Sequence, residues 1–204
     1  MSGNDATVDP RTGNLDQSGM TVVPWRRGAG AILACLLCAS TALTQDVTEP
    51  SLKAAFVYNF AKFAEWPLDA LPATASFTAC VLGDGPLGDA LERSVKGRVL
   101  FGRSVSVSRV TAEGPLRACH LLYVSGVSAA QVSLVVASVK GAPVLTIGDI
   151  DGFTSLGGIA HVFVENGRMR FELNLERAKL SRLQLSSKLL ALAARIHDGS
   201  GAPR

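Results

Sequence analysis

The sequence predicts an α/β fold, a three-layer sandwich in which a mostly parallel sheet carries helices on both faces and finishes in an antiparallel C-terminal hairpin. Three observations predict it. Between residues 77 and 147, apolar runs of strand length alternate with helix-length segments in the order β-α-β-β-α-β, the sequence signature of parallel strands covered on both sides. Further on, Asn166-Gly167 separates two alternating segments, the strongest short-range hairpin signal. With 48% hydrophobic and 18% charged residues and a formal charge of +3, the chain is also too apolar and too weakly charged to be disordered.

The elements follow in order. Leu52, Ala55, Phe56, Phe60 and Phe63 fall at helical spacing, which predicts a helix with that apolar face. Trp66-Pro67 closes it, because proline disfavours helix at the residue before it. Core packing is the plain reading of this aromatic stripe, and partner binding is the other. Phe77-Thr78-Ala79-Cys80-Val81-Leu82 reads as a strand running into a Gly/Asp turn, and Leu87, Leu91 and Val95 share one face of a short helix over 88–95. Residues 104–110 and 120–125 read as strands, 129–139 as a helix that Gly141 closes, and 143–147 as a strand. The first half is thus Rossmann-like. Residues 159–165 and 168–173 form the hairpin that ends the sheet. From Asn174, an N-cap candidate, Leu180, Leu183, Leu189, Leu190, Ala193 and Ile196 are expected in a C-terminal helical region. Within it, Leu183-Gln184-Leu185 is a candidate extended break and Ser186-Ser187 a second cap.

Ahead of this domain lies a segment with export character. Arg26 and Arg27 precede an apolar run over 29–39, and small residues follow it, the layout of a secretory signal peptide. Residues 1–44 are accordingly read as a non-mature extension plus signal, with Met20 a candidate start. Residues 45–198 form a single α/β domain, and 199–204 a frayed tail. Ile32-Leu33-Ala34-Cys35 half-resembles a lipobox, but Leu33 fits it poorly. No run reaches the roughly 18 apolar residues of a bilayer span. Lys+Arg, 20 against 17 Asp+Glu, leaves no basic excess for nucleic acid.

Removing residues 1–44 leaves Cys80 and Cys119, and two cysteines in an exported chain favour one disulfide. Neighbouring parallel strands lie about 4.8 Å apart, close enough for Cys80 in one strand to reach Cys119 at the start of the next. Two separate buried thiols are the alternative. Neither cysteine has the ligand neighbours that a zinc site needs.

Gly83-Asp84-Gly85-Pro86-Leu87-Gly88 is literally G-x-G-x-x-G between a strand and a helix, the dinucleotide fingerprint. Against that reading, Asp84 puts a negative charge in the anion cradle, and Arg103 and Arg109 stand where a ribose-binding acid is needed. A tight strand-to-helix turn explains the glycines. A different small ligand at Gly83, Asp84 and Gly85 is the other reading, and it makes the protein a periplasmic small-ligand sensor or solute-binding module. Asp149 and Asp151 are the nearest thing to an acid pair. No nucleophile, base and orienting group fall together, and no catalytic residue, cofactor site or metal site is assigned. Arg168, Arg170, Arg177 and Lys179 form a basic patch suited to an acidic partner or simply to solvent.

The segment Leu52-Lys53-Ala54-Ala55-Phe56-Val57-Tyr58-Asn59-Phe60-Ala61-Lys62-Phe63-Ala64-Glu65-Trp66-Pro67 resembles the opening helix of the YfiR-like (HmsC-like) periplasmic proteins. The resemblance continues through Cys80-Val81-Leu82-Gly83, Cys119-His120-Leu121-Leu122-Tyr123, Pro143-Val144-Leu145-Thr146, Gly157-Gly158-Ile159, Arg170-Phe171-Glu172-Leu173-Asn174-Leu175 and Ser186-Ser187-Lys188-Leu189-Leu190. It implies an exported homodimeric regulator without catalytic activity or cofactor. Such a protein binds the periplasmic domain of an inner-membrane diguanylate cyclase and represses it, and an outer-membrane lipoprotein sequesters the repressor. Cyclic di-GMP and biofilm are the readouts. It also implies that Cys80 and Cys119 pair, and that Glu172 occupies a position associated with repression; an ordinary outward strand residue is the plain alternative. Arg170, Ile159 and Phe153 join Glu172 as candidate partner-binding residues. A second disulfide of the family's type member, near the segment aligned with 153–161, has no cysteines here.

Overall fold

The computed structural model describes residues 48–83 and 85–198. The signal segment, Asp84 and the tail over 199–204 lie outside the described residues.

Eight strands form the main sheet. Helix α1 (Glu49–Ala61) and the two-residue strand β1 (Ala64–Glu65) lead into β2 (Phe77–Leu82), helix α2 (Gly85–Val95) and strands β3 (Val99–Leu100) and β4 (Arg103–Val110). Strand β5 (Leu121–Val124), helix α3 (Ala129–Ser138) and β6 (Leu145–Gly148) follow, then the hairpin β7 (Ala160–Glu165) and β8 (Arg168–Asn174). Helix α4 (Leu175–Leu180), β9 (Gln184–Leu185), α5 (Ser187–Leu192) and β10 (Arg195–His197) complete the chain. The spatial order is β10-β8-β7-β6-β5-β2-β4-β3, with β1 and β9 pairing separately. From β4 through β7 all neighbours are parallel, β7/β8 and β3/β4 are antiparallel, and β10 runs parallel to β8.

Alternation along the strands divides two cores. Phe77, Ala79, Val81, Leu121, Tyr123, Leu145 and Ile147 face α1 and α2. Cys80, Leu82, Leu122 and Val124 face α3, which supplies Val132, Val135 and Val136. Because both faces are covered, β5 and β6 are buried at every position, and this is why they read as unbroken apolar runs. Ser128 and Gln131 close a reciprocal capping box at the start of α3, and Asn174 and Ser186 cap α4 and α5, each cap satisfying a helical N–H that has no intrahelical partner.

Four expectations need correction. The buried stripe of α1 is Ala54, Val57, Tyr58, Phe60 and Ala61, whereas Leu52 is exposed; the helix lies against both α2 and the sheet, so its covered arc is turned away from the predicted one. That helix ends at Ala61, and Phe63 precedes β1. Helix α2 starts at Gly85, with Pro86 in its first turn, where the missing N–H costs nothing. Finally, Ile196 is not helical. Ala193 turns extended, the Ala194 N–H bonds Phe171 O at 2.8 Å, and residues 195–197 add to β8. The hairpin is therefore internal, and β10 covers backbone groups that β8 would otherwise leave as an open edge.

Candidate functional site

The hairpin sets the register that builds the main polar cluster. Asn166 and Gly167 both hold positive φ, 52° and 71°, as a two-residue turn of the primed type requires. Stepping outward from Glu165 opposite Arg168 places His161 opposite Glu172. On the other side of β8, Arg195 of β10 is the register partner of Glu172. Both neighbours therefore aim their side chains at one carboxylate.

That carboxylate is a buried hub, with Glu172 only 7% exposed. Its Oε1 accepts the Thr154 hydroxyl at 2.6 Å and lies 3.3 Å from His161 Nδ1. Its Oε2 accepts Arg195 Nε–H at 2.9 Å and faces His197 Nε2 at 3.7 Å. Burial pushes the Glu172 carboxyl upward, but the hydrogen bonds from Thr154, Arg195 and His161 outweigh it and hold the pKa below the ordinary glutamate value. The outward reading of Glu172 is thus wrong. The hub ties together the loop after β6, the hairpin and the C-terminal strand.

The other candidate partner-binding residues take different places. Ile159 is buried, with its N–H on Thr146 Oγ1 at 3.0 Å. Phe153 is fully buried between Gly148 and Gly158, where an added Cβ would lie 2.5 Å and 2.1 Å from its ring. Arg170 is exposed on β8, 3.9 Å from Glu165. Of the four, Arg170 alone presents its side chain at the surface, and it does not join the hub. Sequence reasoning missed Thr154, His161, Arg195 and His197. The signal for His161 was present, since a two-residue hairpin fixes its pairing with Glu172.

Cys80 and Cys119 are bonded, with Cα atoms 5.8 Å apart, and join β2 to the residues entering β5. At the glycine turn, a Cβ on Gly83 would meet Ser125 O at 1.9 Å. Gly85 and Gly88 lie beneath the Arg109 guanidinium, which is ion-paired with Asp89. These glycines admit the protein's own backbone and an arginine side chain.

Asp149 bonds Lys53 Nζ at 2.8 Å, and Lys53 also reaches Glu49 at 2.9 Å. Burial raises the Asp149 pKa, but bonds from Lys53, Ser125 and Tyr123 override it and leave the group low. The pair thus fastens α1 to the end of β6, while Asp151 is exposed.

At the opposite end of the sheet, Glu65, Trp66, Leu68, Leu71, Phe101 and Arg103 line a cleft of about 230 Å³. Of these, Leu68 and Phe101 are exposed. Arg103 fixes its walls by donating to Pro72 O, Phe101 O and Leu71 O at 3.0, 2.9 and 2.9 Å.

Among the described residues no group of three or more His, Cys, Asp or Glu could hold a metal, and no helix is long and apolar enough to cross a membrane. The polar groups tie elements to one another across a small α/β domain, and Leu68 and Phe101 are exposed at the cleft. The YfiR/HmsC-like family model matches residues 50–194, and the chain belongs to that family, one of periplasmic, non-catalytic regulators of cyclic di-GMP signalling. No curated protein matches the chain.

Proposed function

We propose that this protein works in the periplasm as a repressor of a membrane-bound diguanylate cyclase, binding the enzyme's periplasmic sensor domain and so lowering cyclic di-GMP and biofilm formation. The observation that carries the reading is the family match, which spans the domain from the start of α1 to the residue before β10. The site chemistry agrees with it. The buried Glu172 and the partly buried Asp149 are each held ionised by partners that join separate elements. The glycine turn does not favour the small-ligand alternative, because the chain itself occupies the space its glycines leave. Homodimerisation, and capture by an outer-membrane lipoprotein that frees the cyclase, complete the proposal.

The test is deletion of the gene with cyclic di-GMP measured by mass spectrometry and attachment by surface staining. Both should rise, and re-expression should reverse them. An unchanged nucleotide level in the deletion strain refutes the proposal.

A further inference from the structure

His120 joins three parts of the fold through one ring. Its Nδ1 lies 3.0 Å from the Thr78 backbone N–H on β2 and its Nε2 lies 3.2 Å from Ala70 O in the 66–72 segment. The ring stacks on Phe77 with centroids 5.3 Å apart. The residue's own carbonyl accepts Trp66 Nε1–H at 3.1 Å and the Leu145 N–H at 2.9 Å. The 66–72 segment supplies Trp66, Leu68 and Leu71 to the cleft. The imidazole therefore links that wall to β2, beside the Arg103 bonds that link it to β4.

Both ring partners have fixed polarity. A backbone N–H can only donate and a backbone carbonyl can only accept. Nδ1 must then be the bare acceptor and Nε2 must carry the hydrogen, so the geometry specifies one neutral tautomer. A second proton has a single place to go, on Nδ1, where it points at the Thr78 N–H. Two donors then meet head-on and the anchor to β2 is lost.

The charged surroundings give the proton no help. From β4, the Arg103 guanidinium faces the ring and opposes a second positive charge. On the 66–72 segment, Asp69 is engaged outward by Arg182 at 2.8 Å, and Glu65 of β1 lines the cleft with Arg103. The described residues of β2 bring no titratable side chain, and Tyr123 of β5 lies in the core on the α1 side. Neither ring nitrogen is bonded to a carboxylate.

We propose that His120 is a proton-operated catch, closed when the imidazole is neutral and opened by acidification, which releases the ring and the Ala70 carbonyl it holds from the Thr78 N–H of β2, while Arg103 keeps its own hold on Leu71 O and Pro72 O. Burial, the largest influence on the imidazole, holds its pKa below the ordinary histidine value, and Arg103 adds to this, while the Ala70 bond pulls the other way. The catch follows from this geometry alone. Its consequence, that acid conditions alter what the cleft side of the domain binds, rests on the binding-protein reading above.

The experiment is a nuclear magnetic resonance titration of the signal-free protein, following imidazole nitrogen shifts and amide protection. At neutral pH His120 should show the Nε2–H tautomer, and it should titrate below about 6.5, the free-histidine value. As it titrates, protection at Thr78 should fall, by roughly tenfold for each unit its pKa lies below the free value. In His120→Asn this pH response should vanish. The Nδ1–H tautomer, a pKa at or above the free value, or unchanged protection through the titration would overturn the catch. Should the variant not fold, the wild-type titration decides. In cells, cyclic di-GMP compared at about pH 7.5 and 5.5, a span that brackets histidine titration, tests the consequence. A deletion strain indifferent at both values defeats the repressor reading and leaves the catch to stand or fall on the titration.

Discussion

Replacing Glu172 with alanine takes away the acceptor that Thr154, His161 and Arg195 share. The three donors are not equally stranded. The Arg195 side chain is about half exposed, at 52%, and can turn to water, whereas His161 is 7% exposed and cannot. Leaving a buried donor unsatisfied costs about 1–3 kcal/mol. Breaking a fully buried pair costs about 3–5 kcal/mol. With one partner free to resolvate, a loss of about 3 kcal/mol is expected at neutral pH. In a domain of this size that lowers the melting temperature by about 6–12 °C. Glu172→Gln keeps an oxygen for Thr154 and His161 and gives up only the Arg195 pair, so it should lose about 1 kcal/mol. Urea unfolding of both variants, with Arg195→Ala to close a double-mutant cycle, measures the terms separately. The pH dependence has a definite sign. Because the folded carboxyl titrates below its unfolded value, its contribution is present above about pH 4.3 and fades as pH falls through the folded pKa. Wild type and Glu172→Gln should therefore converge in acid. If Glu172→Ala unfolds within about 0.5 kcal/mol of wild type, the range of an ordinary surface substitution, the hub described here is refuted.

Two further outcomes are expected. Cys80→Ser with Cys119→Ser releases a closure spanning 39 residues, which the chain-entropy model values at about 4 kcal/mol; guanidinium unfolding with and without reductant should show the same loss in the wild type. Gly158→Ala would set a methyl group 2.1 Å from the Phe153 ring and should destabilise by about 1–3 kcal/mol, the cost of overpacking. Gly152→Ala is the matched comparison, since Gly152 has positive φ and open space around it, so thermal melts of the two separate crowding from backbone strain.

Much of this architecture is legible in the sequence because strong local signals agree with the global fold. The apolar runs at 77–82 and 121–124, the capping residues Asn174 and Ser186, and the Asn166-Gly167 turn each dictate what the chain does there. Illegible parts are those whose structure comes from partners distant in sequence. Strand β1 has two residues and exists because it pairs across the domain with β9, which fills the extended break that Leu183-Gln184-Leu185 offers. Arg195-Ile196-His197 follows a helical pattern and is extended because β8 offers it an edge. The hub was half readable: the hairpin arithmetic delivers His161 to Glu172, but Arg195 arrives from a strand that periodicity alone assigns to a helix. The glycine-rich motif has the spacing of a phosphate cradle, but Asp84 and the arginines argue for a tight strand-to-helix turn, and its glycines serve the chain's own close approaches.

The family match stops at residue 194, one position short of β10. A recombinant domain trimmed to that boundary would lack Arg195 and His197, leaving the Glu172 carboxylate without its cation and a naked rim along β8. Such a fragment invites strand-to-strand association with its own copies, so clumping by that shortened version would reveal a missing seal on the last strand and say nothing about the native assembly.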